Sequence, residues 1–174
     1  MSRAVGEKLL RITSQSLAAP SPQVLEKVQS QWPRLPPDYW RFLQQFGGAP
    51  IFPETAIFEA KGYGAIDIDV FLSAQGVLDV ALQYRDRIDP ALMPIAKSSG
   101  GDVICISSDG AVFFWDHERE GQPTASVQIG HTFSEFFLSL REQPSSEDVS
   151  SDDVVVELDP SLLAGDPTQD KPRK

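Results

Sequence analysis

The chain has 174 residues, enough for one domain with a real core and too few for two full ones. It is 41% hydrophobic and 23% charged, an ordinary globular composition, and no apolar run approaches the ~18 residues of a membrane helix. The net charge of −10 makes a phosphate backbone a poor partner and a basic protein a better one, and the single cysteine, Cys105, excludes an intramolecular disulfide or a cysteine-rich zinc site.

The first segment, Arg3 to Leu17, puts Val5, Leu9 and Ile12 at helical spacing, weakened by Gly6; it reads as a short helix or an arm over residues 1–19. Glu7, Lys8 and Arg11 break any apolar stretch there, so no secretory signal is expected and the cytoplasm is the expected compartment. Ser21-Pro22 starts a helix that Pro33 stops, serine capping the free N–H groups and proline suiting the first turn. Leu35-Pro36-Pro37-Asp38 opens a second helix, with Tyr39, Phe42, Leu43 and Phe46 on one face. Gly47-Gly48 ends it, glycine being free to take the left-handed conformation.

The period then changes. Ile57-Phe58 reads as a short strand. Residues 65–70 alternate, so Ile66, Ile68 and Val70 face in while Asp67 and Asp69 face out together. Ser73 caps a helix through Tyr84. A meander follows: a strand at Leu92–Ala96 whose proline marks a start or an edge, a turn at Ser98–Gly101, and the apolar strand Val103–Ile106. Ser108-Asp109-Gly110 signals a hairpin, Asp-Gly suiting a type I′ turn, with Ala111–Trp115 returning. A polar loop leads to a strand at Ala125–Ile129. Thr132-x-x-Glu135 is a capping box, and Phe133, Phe136, Phe137 and Leu140 face in along a helix that Pro144 ends. Residues 143–174 turn to Ser, Asp, Glu and Pro and read as a largely disordered acidic tail, interrupted by the apolar island Val154–Leu158.

No phosphate loop, dinucleotide fingerprint or calcium loop appears. The sharpest enzyme candidate is Asp116-His117-Glu118 at a strand end, since a carboxylate beside imidazole can bind a metal or move a proton. Adjacent residues on an extended chain point to opposite sides, however, and Asp67 and Asp69 are the only other obvious carboxylate pair. A solvated strand end is the plainer reading, with no catalytic residue, no metal and no cofactor. Cys105 inside an apolar strand reads as a small buried hydrophobe.

The ordered landmarks are L-P-x-D-Y-W-x-F-L, Gly-Gly, M-P-I-A-K-S-S-G-G-D-V-I-C-I, D-G-x-V-F-F-W-D-H-E and a closing T-F-x-E-F-F helix. Together, from about Pro20 to Glu142, they resemble the SUKH superfamily of the Smi/Knr type. The resemblance implies an α+β fold, an antiparallel sheet meander packed with helices, over residues 20–142. It also implies structural roles for Leu35, Pro36, Tyr39, Phe42, Leu43, Gly100, Gly101, Asp102 and Trp115, with no shared catalytic residue. Bacterial members of that family look like immunity proteins that neutralise secreted polymorphic toxins, often nucleases or deaminases, by direct binding. A toxin-neutralising binder, monomeric or weakly dimeric, is therefore expected, ahead of a fungal-type regulatory or scaffolding module and of a small enzyme. Asp67, Asp69, Asp116, Glu118 and Glu120 are the expected contacts for a basic toxin domain.

Overall fold

The computed structural model describes residues 3–15, 17–53, 56–122 and 125–142. The acidic tail and its island at 154–158 lie outside the described residues. The architecture is α+β, and Met1–Gln143 form one compact unit.

The first helix, α1 (Arg3–Ile12), buries Val5, Leu9 and Ile12 and packs on the last helix, α5 (Phe133–Ser139). Lys8 Nζ donates to the carbonyl of Leu138 at 2.6 Å and to that of Leu140. These are among the last carbonyls of α5, which have no partner inside their own helix.

Helix α2 (Pro22–Gln31) starts at the expected proline, but the Ser21 hydroxyl makes no capping bond; the Ser21 carbonyl takes the first N–H groups instead. Helix α3 (Pro37–Phe46) carries the aromatic stripe. Gly47 after it is not left-handed, at φ −79°: the need for glycine here is space. A Cβ at Gly47 would stand 2.6 Å from the Leu43 carbonyl, and one at Gly48 would stand 2.5 Å from the Ala19 carbonyl.

Eight strands form two antiparallel sheets among the described residues. Strands β3 (Val70–Phe71), β4 (Met93–Lys97), β5 (Val103–Ile106), β6 (Val112–Trp115) and β7 (Ser126–Gly130) make the meander, in chain order. Strands β1 (Ala56–Ala60), β2 (Gly64–Asp67) and β8 (Arg141–Glu142) make a second sheet in the order β2-β1-β8. The single strand expected over 65–70 is thus two. The Ile68 N–H still bonds Ala56, whereas the Asp69 N–H bonds Lys97, so the chain changes sheets between them. The last helix likewise ends at Ser139 rather than at Pro144, because Arg141 and Glu142 pair with β1.

Pro94 stands second in β4, at the strand start expected for it, although the strand itself is interior. β3 pairs only with Ala96 and Lys97, so Pro94 has no ladder bond to lose on that side. The β5–β6 hairpin has a three-residue loop closed by Ser107 N–H to Ala111 O at 2.9 Å. Only Gly110 takes positive φ, +99°, which is a turn followed by a glycine bulge and not type I′.

The core joins these layers through aromatic rings. Phe42 on α3 lies 4.9 Å from Phe133 and 5.6 Å from Phe137 on α5, and 6.1 Å from Phe71 on β3, centroid to centroid. Phe58 on β1 meets Phe114 on β6 and Phe136 on α5, which ties the second sheet to the first. Helix α4 (Ala74–Gln83) is capped by Ser73 Oγ, which accepts from the Gly76 N–H at 3.0 Å, and it packs on β4 and α2.

Candidate functional site: an acidic cleft at the β4–β5 and β6 ends

Asp102 follows the Ser98–Gly101 turn, where Gly101 sits at φ +91°. Ser98, itself buried, fixes the turn: its hydroxyl donates to Asp102 Oδ2 at 3.2 Å and accepts the Asp102 N–H at 3.1 Å. The register that pairs Val103 with Trp115 carries Asp102 across from Asp116 at the end of β6. There the chain leaves the sheet in a 3-10 turn, His117–Arg119.

Asp116 is 7% exposed and is not a solvated strand end. Its Oδ1 caps the turn by accepting the Glu118 N–H at 2.8 Å, and its Oδ2 lies 3.3 Å from Arg119 Nε. The Arg119 guanidinium stacks 4.5 Å from the ring centre of Tyr63, in the β1–β2 turn. The Tyr63 hydroxyl is held above its usual range, first by burial and then by Asp116 and Asp102, against the opposing charge of Arg119. His117 Nδ1 lies 2.7 Å from Asp102 Oδ1. A carboxylate only accepts, so that nitrogen carries the proton.

These groups surround a cleft of about 240 Å³, walled by Tyr63, Ile66, Phe114, Asp102, Asp116, His117 and Glu118. Asp102, Asp116 and His117 each offer a ligand atom within 4.8 Å of the others. The turn thus overcomes the opposite-sides objection, and the third group is Asp102, not the Asp67/Asp69 pair. Both carboxylates are already committed, to His117 and Ser98 and to Arg119 and the Glu118 N–H. What the arrangement does chemically is hold a loop rigid and present negative charge at its rim.

The five expected contact residues fare differently. Asp67 ends β2, and its Oδ1 accepts the Ser99 hydroxyl at 2.8 Å, which ties it to the turn beside the cleft. Asp69 is exposed beyond the sheet crossing, so the two are not alternate positions of one strand face. Glu118 is exposed on the cleft. Asp116 is buried and internally paired. Glu120 meets Arg87 at 2.6 Å, and the Arg87 guanidinium lies 5.2 Å and 5.3 Å from the Tyr84 and Trp115 rings. That bond, with the Arg87 charge, holds the Glu120 carboxyl below the usual glutamate range. Sequence reasoning missed Asp102, Tyr63 and Arg119 as members of the site. The hairpin register was the signal for Asp102: once Val103 and Trp115 pair, its neighbour must face Asp116.

Cys105 is buried in β5, where burial pushes its thiol well above the usual range. Among the described residues no helix is long and apolar enough to cross a membrane.

A model of the SMI1/KNR4 family (SUKH-1) matches residues 19–139. The chain is also similar to the SPbeta prophage-derived uncharacterized protein YokK of Bacillus subtilis (strain 168). The identity is 30% over 156 aligned positions, covering 75% of this chain and 80% of that protein.

Proposed function

The chain belongs to the SMI1/KNR4 family (SUKH-1), and from that premise we propose that it is an immunity protein that neutralises a secreted toxin domain by one-to-one binding, without catalysis. Family membership carries the reading, and a prophage-derived relative is in keeping with it. Asp102 holds His117, and Asp116 holds both Arg119 and its own turn.

The toxin is a basic domain, of the nuclease or deaminase kind that the family resemblance implies. Exposed Asp69 and Glu118, with Asp67 beside them, make its contact, and the paired Asp116 and Glu120 support the loop that presents Glu118. Carboxylates on rigid turns lose little freedom on binding and steer a basic partner into place.

The test is co-expression with the toxin domain encoded beside the gene. Protection of the host cell and a stable one-to-one complex on size-exclusion chromatography are expected. If no neighbouring toxin binds, the immunity reading falls and a scaffolding role takes its place.

A further inference from the structure

The acidic cleft, about 240 Å³, is lined by apolar Tyr63, Ile66 and Phe114 and by polar Asp102, Asp116, His117 and Glu118. No lysine or arginine is among the described residues that line it. Of its carboxylates, Asp116 faces Arg119, which stands outside the lining, and Asp102 holds His117. Even with His117 counted as a cation, one negative charge is left over. It belongs to Glu118, which is exposed and has no ion-pair partner among the described residues. Asp102 Oδ2 accepts only the Ser98 hydroxyl among the described residues, and so keeps room for a further donor.

The walls are fixed before a partner arrives. The Tyr63 ring meets Phe114 edge-on at 5.0 Å, and the Arg119 guanidinium lies 4.5 Å from its centre. Asp102 accepts both the ring and the backbone N–H of His117, which ties the two turns together. An occupant therefore meets a shaped, apolar hollow with uncompensated negative charge, at little cost in ordering.

That combination suits a side chain that is apolar along its stem and positive at its end. Of the two such side chains, arginine is the less strongly hydrated. Its planar head offers five donors, against the compact and tightly hydrated ammonium of lysine. We propose that the acidic cleft receives one arginine side chain of a basic protein partner. The stem packs on Tyr63, Ile66 and Phe114, and the guanidinium donates to Glu118 and to Asp102 Oδ2. The identity of that partner as a toxin domain rests on the function proposed above, whereas the recognition chemistry is testable without it.

The probe is the blocked tripeptide acetyl-Gly-Arg-Gly-amide, titrated into the full chain at low salt and followed in NMR spectra. Saturable shifts of the Tyr63 ring, the Ile66 methyl groups and the Glu118 amide are expected. The matching citrulline peptide, of the same shape without the charge, should bind at least about tenfold more weakly, and the lysine peptide should also bind more weakly. Glu118→Gln should weaken the arginine peptide at least about fivefold. Glu26→Gln removes the same charge from an exposed position on α2 and should change nothing. Both side chains are exposed, so circular dichroism should show an unchanged fold. The proposal is overturned by shifts that do not saturate, by citrulline or lysine peptides that bind as well, or by indifference to Glu118→Gln. A neighbouring toxin that binds the native chain and Glu118→Gln alike overturns the cleft as its anchor and leaves the immunity reading standing. Saturable arginine binding with no toxin binding does the reverse.

Discussion

His117 and Asp102 are joined twice: Asp102 Oδ1 lies 2.7 Å from the ring nitrogen Nδ1 and accepts the His117 backbone N–H at 3.2 Å. One carboxylate thereby ties the turn after β4 to the turn after β6, at the mouth of the acidic cleft. Asp102→Ala removes both bonds and also the Ser98 contact. We expect a loss of about 1.5–3 kcal/mol in urea unfolding, the range for hydrogen bonds to a charged group. His117→Ala leaves the Asp102 bonds to the backbone and to Ser98 in place, and should cost clearly less. Equal losses would show that the ring, not the carboxylate, holds the loop.

Phe42 and Tyr39 are neighbours on α3 with opposite expected behaviour. Phe42 is 1% exposed and touches rings from α3, α5 and β3, so Phe42→Ala opens a cavity and should cost about 3–5 kcal/mol. The Tyr39 hydroxyl is buried with no hydrogen-bond partner among the described residues. Tyr39→Phe deletes that unsatisfied group while keeping the ring, and should be neutral or stabilising by up to about 1 kcal/mol. Thermal unfolding of the two variants distinguishes them; a large loss in Tyr39→Phe would mean that the hydroxyl has an acceptor.

Cys105 lies in β5 between β4 and β6, fully buried, with its thiol pushed up by desolvation. The thiolate is the reactive form, so a thiol-directed disulfide reagent should react with the protein only through its unfolded fraction. Titration in rising urea checks this: the rate should follow the unfolded fraction. Rapid labelling in buffer would contradict the burial.

The sequence carried local structure better than long-range structure. Helix α3 and the inner face of α5 are written as apolar residues three and four apart, and burial of Tyr39, Phe42, Leu43, Phe133, Phe136 and Phe137 follows that spacing. In the second sheet, strands at Ile57-Phe58 and within residues 65–70 were legible, but their assembly with β8 was not. Its β8 strand is two residues long and its β1 partner is 84 or more positions away, so nothing local marks the pairing of Ile57 with Arg141. Residues 65–70 alternate correctly for one strand, and only tertiary contacts decide that the chain crosses between sheets at Ile68. At the site, Asp116 looked like a solvated strand end because its cap and its arginine lie in the turn beyond. The family resemblance supplied the fold class, while the geometry of Asp102, Tyr63 and Arg119 came only from the three-dimensional arrangement.

The Arg87–Glu120 pair sets a small acid-side dependence. Because Arg87 lowers the folded-state pKa of Glu120, the pair's contribution is present above the unfolded glutamate pKa and fades as pH falls through the lowered folded value. Side-chain carboxyl NMR should place the Glu120 midpoint below those of exposed glutamates, and Arg87→Gln should return it to the ordinary range. A midpoint unmoved by Arg87→Gln would show that the pair does not persist in solution. Both groups are partly exposed, so the effect should shrink in high salt.

Charge reversals rank the contact residues of the proposed toxin complex. Asp69 and Glu118 are exposed with no ion-pair partner among the described residues, so their reversal to lysine removes charge from the surface without breaking an internal bond. Asp69→Lys with Glu118→Lys should slow association with a basic toxin domain, most at low salt, and leave thermal stability within about 0.5 kcal/mol. Asp116→Lys is a different experiment, since it strands Arg119 and removes the cap of the 3-10 turn. It should lower stability and disturb Tyr63, whatever it does to binding. Surface plasmon resonance across a salt series, with melting curves for each variant, keeps the two effects apart. If the Asp69/Glu118 pair changes neither association rate nor salt slope, the acidic rim is not the toxin contact and the contact lies on another face.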